Sequence, residues 1–349
     1  MSFDFDFKLL RELTETSGAP GYEDRIREIV RREFDGVVDE VRTDAMGNVV
    51  GTVYGDTDYE VAVAAHMDEI GFMVRHVDDD GFVALEALGG WDPRVLKAQR
   101  VTVHTEDGDL TGVIGSMPPH LLDDDDDDAS VDDVHVDLGL PAEEARERVT
   151  VGDIVTMEQT TTRVGEHVTG KALDDRVCLF AVLEAAKRVT DPDVTVHFAA
   201  TVQEEVGLRG ASALGVDLDP DLAVALDVTV ARDVPDVEDE ADYVTELGEG
   251  AAIKLKDGSV VTNPKVNRRL RSVAEEQDVD HQTEILPSGG TDTAGFQNTH
   301  GAKPVGAISV PTRYLHTVTE SVHGDDVTAA IDLLAAFLKT ETGEHDYRL

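Results

Sequence analysis

Apolar residues recur at helical spacing near the start of the chain. Phe7, Leu9, Leu10 and Leu13 share one face and predict an amphipathic helix. The run Ser17-Gly18-Ala19-Pro20-Gly21 breaks that period. A second helix is predicted with Ile26, Ile29, Val30 and Phe34 on one face. Strands are predicted next at 37–41, 49–53 and 61–65. The last is a short apolar run bounded by polar residues, which suits a buried parallel strand.

From about Phe72 to Met157 the texture changes. Short alternating strands are predicted around 73–77, 82–85, 101–103, 113–114 and 154–157, with no long helical period joining them. This predicts a small all-β insertion, barrel-like or a sandwich, over residues 72–157. Within it six aspartates run from Asp123 to Asp128, which reads as a solvated loop. The run lacks the glycine turn and spaced ligands of a calcium loop.

After Gly170 helices and strands alternate again. Helices are predicted at 175–188, 264–276 and 326–339, and strands at 194–201, 222–226 and 305–310. Alternation of this kind implies a largely parallel sheet covered on both faces. The predicted fold is therefore α/β, with one domain built from residues 1–71 and 158–349 and the β domain inserted into it.

Composition narrows the partners. Thirty Lys and Arg stand against 73 Asp and Glu, a formal charge of −43. Such a charge repels nucleic acid and anionic lipid, so neither is expected as a partner. The acidity runs along the whole chain, as in a protein kept soluble in concentrated salt, where self-repulsion is screened. This predicts a halophilic source. The single Cys178 lies in an apolar run and cannot form an internal disulfide. No run of about 18 apolar residues exists to span a membrane, and Met1 to Phe7 does not read as a secretory signal. The expected location is cytoplasmic.

Candidate chemistry sits where the apolar strands end. Ala62-Val63-Ala64-Ala65 leads to His66-Met67-Asp68, and Phe198 to Val202 leads to Gln203-Glu204-Glu205. Ala223 to Leu226 leads to Asp227, and Ala307 to Val310 is followed within six residues by His316. In open parallel sheets, sites form beyond the carboxyl ends of the strands, so these distant positions converge. Each residue alone has a plain reading as a satisfied polar group at a strand end. Together, two histidines and several carboxylates without cysteine suit zinc, cobalt or manganese, and exceed what one tetrahedral ion needs.

Six segments carry a resemblance: His66-Met67-Asp68-Glu69-Ile70-Gly71, Ala172 to Arg176, Gln203 to Ala211, Ala225 to Thr229, Gly289-Gly290-Thr291-Asp292, and Pro311 to His316. In this order the chain resembles the tetrahedral aminopeptidases, dinuclear zinc exopeptidases of which some have been labelled endoglucanases. The resemblance implies an α/β/α zinc-exopeptidase domain with two divalent metal ions, zinc with cobalt or manganese as alternatives. It implies one ion on His66 and Asp227, the other on Glu205 and His316, and Asp174 bridging them. It further implies Glu204 as general base, Asp68 accepting the far N–H of His66, and a cis Asp174–Asp175 bond. Gly289, Gly290, Thr291 and Asp292 would line the substrate pocket. Thr317-Val318 and Thr293 depart from the family's usual residues.

The implied activity is removal of N-terminal residues from short peptides, by a homo-oligomer of dimers joined through the β domain into a tetrahedral dodecamer. Three other readings remain at this point, one of them a non-catalytic acidic binding protein or assembly shell. A metal-independent glycosidase would use a carboxylate pair, but leaves His66 and His316 without a role, and only Trp91 offers an indole platform. A related zinc carboxypeptidase or deacylase would share the metal site.

Overall fold

Asp6 starts the first helix, α1 (Phe7–Glu15), by accepting the amides of Lys8 and Leu9 at 3.0 and 3.2 Å. Leu9, Leu10 and Leu13 are buried from it, and α2 (Asp24–Phe34) buries Ile26, Ile29, Val30 and Phe34, the face its spacing predicts. The computed structural model describes residues 5–116, 130–235, 237 and 244–349. The Asp123–Asp128 run lies outside them.

Three strands follow: β1 (Glu40–Thr43), β2 (Val49–Val53) and β3 (Glu60–His66). The first begins later than the apolar run at 37–41 suggests, because a turn follows α2. Six strands then form a closed barrel: β4 (Gly71–Val77), β5 (Val83–Leu88), β6 (Arg100–Thr105), β7 (Gly108–Ile114), β8 (His135–Asp137) and β9 (Ile154–Met157). All its pairings are antiparallel, in the order β4-β5-β8-β7-β6-β9. Its interior holds Phe72, Val74, Leu85, Val101, Val103, Val136 and Val155. Closure leaves no long unpaired edge. A short helix, α3 (Ala142–Arg148), accompanies the barrel and buries only Ala145. Seven residues with one buried position give no helical period to read.

The main sheet is completed by β10 (Thr162–Val164), β11 (His167–Gly170), β12 (Thr195–Thr201), β13 (Leu222–Val230), β14 (Ala251–Lys256), β15 (His281–Ile285), β16 (Val305–Arg313) and β17 (Glu320–His323). The helices are α4 (Leu173–Arg188), α5 (Arg209–Leu218), α6 (Pro264–Glu276), α7 (Asp292–Gln297) and α8 (Gly324–Thr340). The sheet order is β1-β2-β12-β3-β13-β16-β17-β11-β10, with β14 paired to β16 and β15. Its centre, β12-β3-β13-β16, is parallel, as the alternating helices predict. Antiparallel pairs flank that centre, so the sheet is mixed.

Side-chain alternation divides the central strands between two faces. Val61, Val63 and Ala65 join the large core that also holds residues of α1, α4, α6 and α8. Ala62, Ala64, Ala199 and Ala223 face the other way, toward Ala211 and Leu214 of α5 and Phe296 of α7. The parity that sends Ala62 and Ala64 to the second face sends His66 there, and the parity of Ala223 sends Asp227 there. Thr201 pairs with His66 and Ala225 with Ala64, so the carboxyl ends of β12 and β3 lie level with Asp227 of β13, which runs on to Val230. Among the described residues no helix is long and apolar enough to cross a membrane.

Candidate metal centre

His66, the last residue of β3, is buried. Its Nδ1 lies 3.0 Å from the backbone carbonyl oxygen of Asp68 and 3.4 Å from Asp68 Oδ1. An Nδ1–H donated there leaves the Nε2 lone pair free, and Nε2 lies 3.3 Å from Asp174 Oδ1. His316 repeats the arrangement from the opposite side. Its Nδ1 is 2.8 Å from the carbonyl oxygen of Gly90, in the barrel insertion, and its Nε2 is 3.2 Å from Asp174 Oδ2. The same Nε2 is 3.8 Å from Glu205 Oε2. Thus the two oxygens of one carboxylate each face an imidazole nitrogen whose partner nitrogen is already committed. Either a proton on each Nε2 or a metal ion between the atoms satisfies these contacts, and the same spacing suits a shared metal ligand.

The donor set fits divalent metal. Tetrahedral Zn–N and Zn–O bonds of ~2.0–2.1 Å set ligand atoms roughly 3.3 Å apart, close to both Asp174 contacts. His66, Asp175 and Asp227 offer atoms within 4.8 Å of one another, and so do His66, Asp174 and Glu205. Glu205 Oε1 and Asp175 Oδ1 are buried and accept no hydrogen bond from the protein. A buried carboxylate oxygen without a partner is costly unless an ion meets it.

Charge crowding says the same. Burial and the neighbouring Asp174 push Asp227 up to about 8, and burial and Asp174 raise Glu205 well above the carboxylate range. Burial also raises Glu204 well above it. Asp174 is the exception: burial would raise it, but the imidazoles of His316 and His66 hold it below the usual range. Burial alone would lower His316, yet Asp174 and Glu205 bring it up to about 10.

The loop after β12 is set by Asp68. Asp68, expected to accept the far N–H of His66, meets Nδ1 with its backbone carbonyl nearer than its carboxylate. The carboxylate also accepts the amides of Glu204 at 3.0 Å and Glu205 at 3.1 Å, one on each oxygen. Gln203 precedes them at a left-handed φ of 55°. This bend, held by Asp68, lets adjacent glutamates start from a fixed backbone. Glu204 and Glu205 both line a cleft of about 510 Å³ with Asp174, Asp227 and His316.

Gly289, Gly290 and Thr291 line the same cleft. Asp292 does not. It is buried at the start of α7, where it accepts from Thr201 Oγ1. Burial pushes it up to about 6. The Asp174–Asp175 bond is cis.

Three contributors escape sequence reasoning. Glu320 accepts the amide of Asp174 at 3.1 Å and that of His316 at 2.9 Å, tying two candidate ligands with one carboxylate. It is buried on β17, whose four residues carry no readable pattern. Asp175 accepts the amide of His66 at 3.1 Å; its adjacency to Asp174 is the signal that could have found it. Gly89 and Gly90 come from the insertion. A Cβ on Gly89 would stand 3.3 Å from Glu205 Oε2, and one on Gly90 3.2 Å from His316 Nδ1. A double glycine after an alternating strand gives a weak hint of such close approach.

A family model described as M42 glutamyl aminopeptidase matches residues 47–333. The chain is 35% identical over 342 residues to a lysyl aminopeptidase of Pyrococcus furiosus, covering 96% of this chain and 97% of that protein. An aminopeptidase from the archaeon Desulfurococcus kamchatkensis is 37% identical, with a TM-score of 0.93 over 97% of this chain and 95% of that one. The Pyrococcus horikoshii TET1 peptidase, which can assemble into a tetrahedron or a large octahedral shell, is 34% identical. Its TM-score is 0.86 over 96% of this chain and 99% of that one.

Proposed function

We propose, from the premise that this chain belongs to the M42 glutamyl aminopeptidase family, that it is a dinuclear zinc aminopeptidase with Glu204 as its general base. Metal-dependent aminopeptidase activity follows from the family; the metal's identity and each residue's role are the proposal. The observation that carries it is Asp174, whose two oxygens lie 3.3 and 3.2 Å from the Nε2 atoms of His66 and His316. One carboxylate placed between two imidazoles is what a bridging ligand requires. His66 and Asp227 would hold one ion, Glu205 and His316 the other, with cobalt or manganese as alternatives to zinc.

When bound, the ions supply Lewis acidity, lowering the pKa of water and balancing charge on a carbonyl oxygen. The protein's own groups do the rest. Glu204 lines the cleft beside the candidate ligands, where its carboxylate can take a proton from the attacking water. It then passes that proton to the leaving amine as the peptide bond breaks. Asp68 keeps Glu204 and Glu205 in separate roles by fixing both amides. Glu320 holds Asp174 and His316 at their backbones, the kind of outer support that keeps metal ligands in place. A glycosidase reading finds no support in a cluster where imidazole nitrogens face carboxylates at these distances.

The test is the free amine. Leucyl-p-nitroanilide is expected to be cleaved, and its N-acetyl derivative at least ~100-fold more slowly, because one or two charge-assisted contacts to the ammonium are lost. Equal rates would favour the deacylase or endopeptidase class.

Short peptides are the proposed substrates. We assign residues 1–71 and 158–349 to the catalytic domain and 72–157 to a domain that pairs subunits. The proposed assembly is a homo-oligomer built from dimers up to a tetrahedral dodecamer, supported by the likeness to the TET1 peptidase. A salt-rich cytoplasm is the proposed location, supported by the buried free Cys178 and the charge of −43. Melting temperature is accordingly expected to rise on the order of 10 °C between 0.1 and 2 M KCl, as the Debye length falls from about 10 Å to below about 3 Å. A melting temperature that is flat or falls across that range would remove the halophile assignment.

A further inference from the structure

We infer that the first side chain of the substrate enters an apolar pocket, so that the protein prefers leucine-like N-terminal residues to glutamate or lysine. This rests on the aminopeptidase reading of the same cleft. The cluster of Asp174, Glu204, Glu205, Asp227 and His316 forms one side of that cleft. The scissile carbonyl must lie against the cluster, so the first side chain of a bound peptide meets the remaining lining.

That lining is uncharged and largely apolar, with Thr229, Ser288 and Thr291 as its polar side chains. Leu208, Val230, Leu286 and Leu315 contribute to it from four separate segments: the turn before α5, the end of β13, the segment after β15 and the turn after β16. Leu286 Cδ2 lies 3.5 Å from where a Cβ on Gly289 would be, so its side chain packs over the bare glycine backbone. Thr229 is wholly buried on the Asp227 face of β13, and its hydroxyl has no partner in the protein. It brings no charge to that wall of the cleft.

Among the described residues, no Lys or Arg lines the cleft, and every carboxylate lining it belongs to the cluster. Arg313, two residues before Leu315, is held by both oxygens of Asp233 at 2.8 and 2.6 Å. Its charge is already matched. A glutamate side chain entering the pocket would therefore lose water and find no counterion. A lysine side chain would find no carboxylate outside the cluster. Buried charge without a partner is strongly disfavoured, whereas a leucine side chain gains by leaving water.

Two measurements decide the matter independently. In the first, kcat/KM is compared for leucyl-, glutamyl- and lysyl-p-nitroanilide at molar salt with added zinc. The leucyl compound is expected to exceed each of the others by about 30-fold or more. In the second, free L-leucine, L-glutamate and L-lysine are titrated into the protein by calorimetry, a readout that needs no turnover. Leucine is expected to bind tightest. The Leu286→Arg variant is expected to narrow the leucyl-to-glutamyl ratio about tenfold or more. A glutamyl or lysyl compound cleaved as fast as the leucyl one, or either charged amino acid binding tightest, overturns the apolar pocket. If no anilide is cleaved while leucine binds tightest, the catalytic reading fails and the pocket stands.

Discussion

The Glu204→Gln variant is expected to lose about 10³- to 10⁴-fold in kcat while retaining its metal, the upper part of the range for removing a general base. Glutamine keeps the size of the side chain, and the backbone amide of residue 204 can still donate to Asp68 Oδ1. What it cannot do is accept and return a proton. The loss should fall on kcat rather than KM, because the substrate's contacts with the cleft are unchanged. Stability separates this role from a structural one. Burial raises the Glu204 carboxyl well above the usual range. A carboxyl raised in the folded state favours folding at low pH and opposes it once pH exceeds the unfolded value near 4. In the metal-free protein the neutral amide lacks that opposition, so there the variant should melt no lower than the parent at pH 7. Metal content, melting temperature and kcat measured on one preparation form the check. A kcat within tenfold of the parent, with metal bound, would deny Glu204 the proton.

Much of this was legible in the chain because it follows from periodicity. The faces of α1 and α2 and the four parallel strands at the centre are signalled by apolar spacing. The convergence of His66, Glu205, Asp227 and His316 follows from strand ends alone. Their pairing does not. That His66 and Asp227 share a sheet face depends on alternation, and alternation is silent where both faces of a strand are apolar, as in Ala62 to Ala65. Which atom orients an imidazole was equally hidden. Both histidines turn their Nδ1 atoms to backbone carbonyls, of Asp68 and Gly90, and a carbonyl has no letter in a sequence. Glu320 and the Gly89-Gly90 turn reach the site from β17 and from the barrel, and only tertiary structure brings them there. Asp292 shows the reverse failure: its motif points to the cleft, but the start of α7 turns the carboxylate inward beneath the sheet end.

Removing the metal should abolish activity and make stability strongly dependent on pH, with a sign fixed by the cluster. In the metal-free protein, Asp227 and Glu320 are pushed up to about 8 by burial and by Asp174, and Glu204 and Glu205 are raised as well. These groups bind more protons folded than unfolded, so stability falls as pH climbs from about 4 toward 8. His316, brought to about 10 despite its burial, adds stability that is full below its unfolded value near 6.5 and lost as pH passes 10. His66, also raised, acts in the same direction. Asp174 opposes them at the acid end: held low by the two imidazoles, it stabilises above about pH 4 and loses that contribution as pH falls further. The metal-free protein should therefore be most stable near roughly pH 5 and melt progressively lower toward pH 9. Metal binding needs these ligands deprotonated, so zinc should add little at pH 5 and much at pH 8. At a free concentration about a thousandfold above Kd, each site would contribute about 4 kcal/mol. For two sites this is a rise on the order of 10 °C in melting temperature at pH 8. Melting curves of chelator-treated protein, with and without restored zinc, at pH 5 and 8 make the comparison. A zinc-induced rise that is no larger at pH 8 than at pH 5 would mean that the buried carboxylates do not hold the ions.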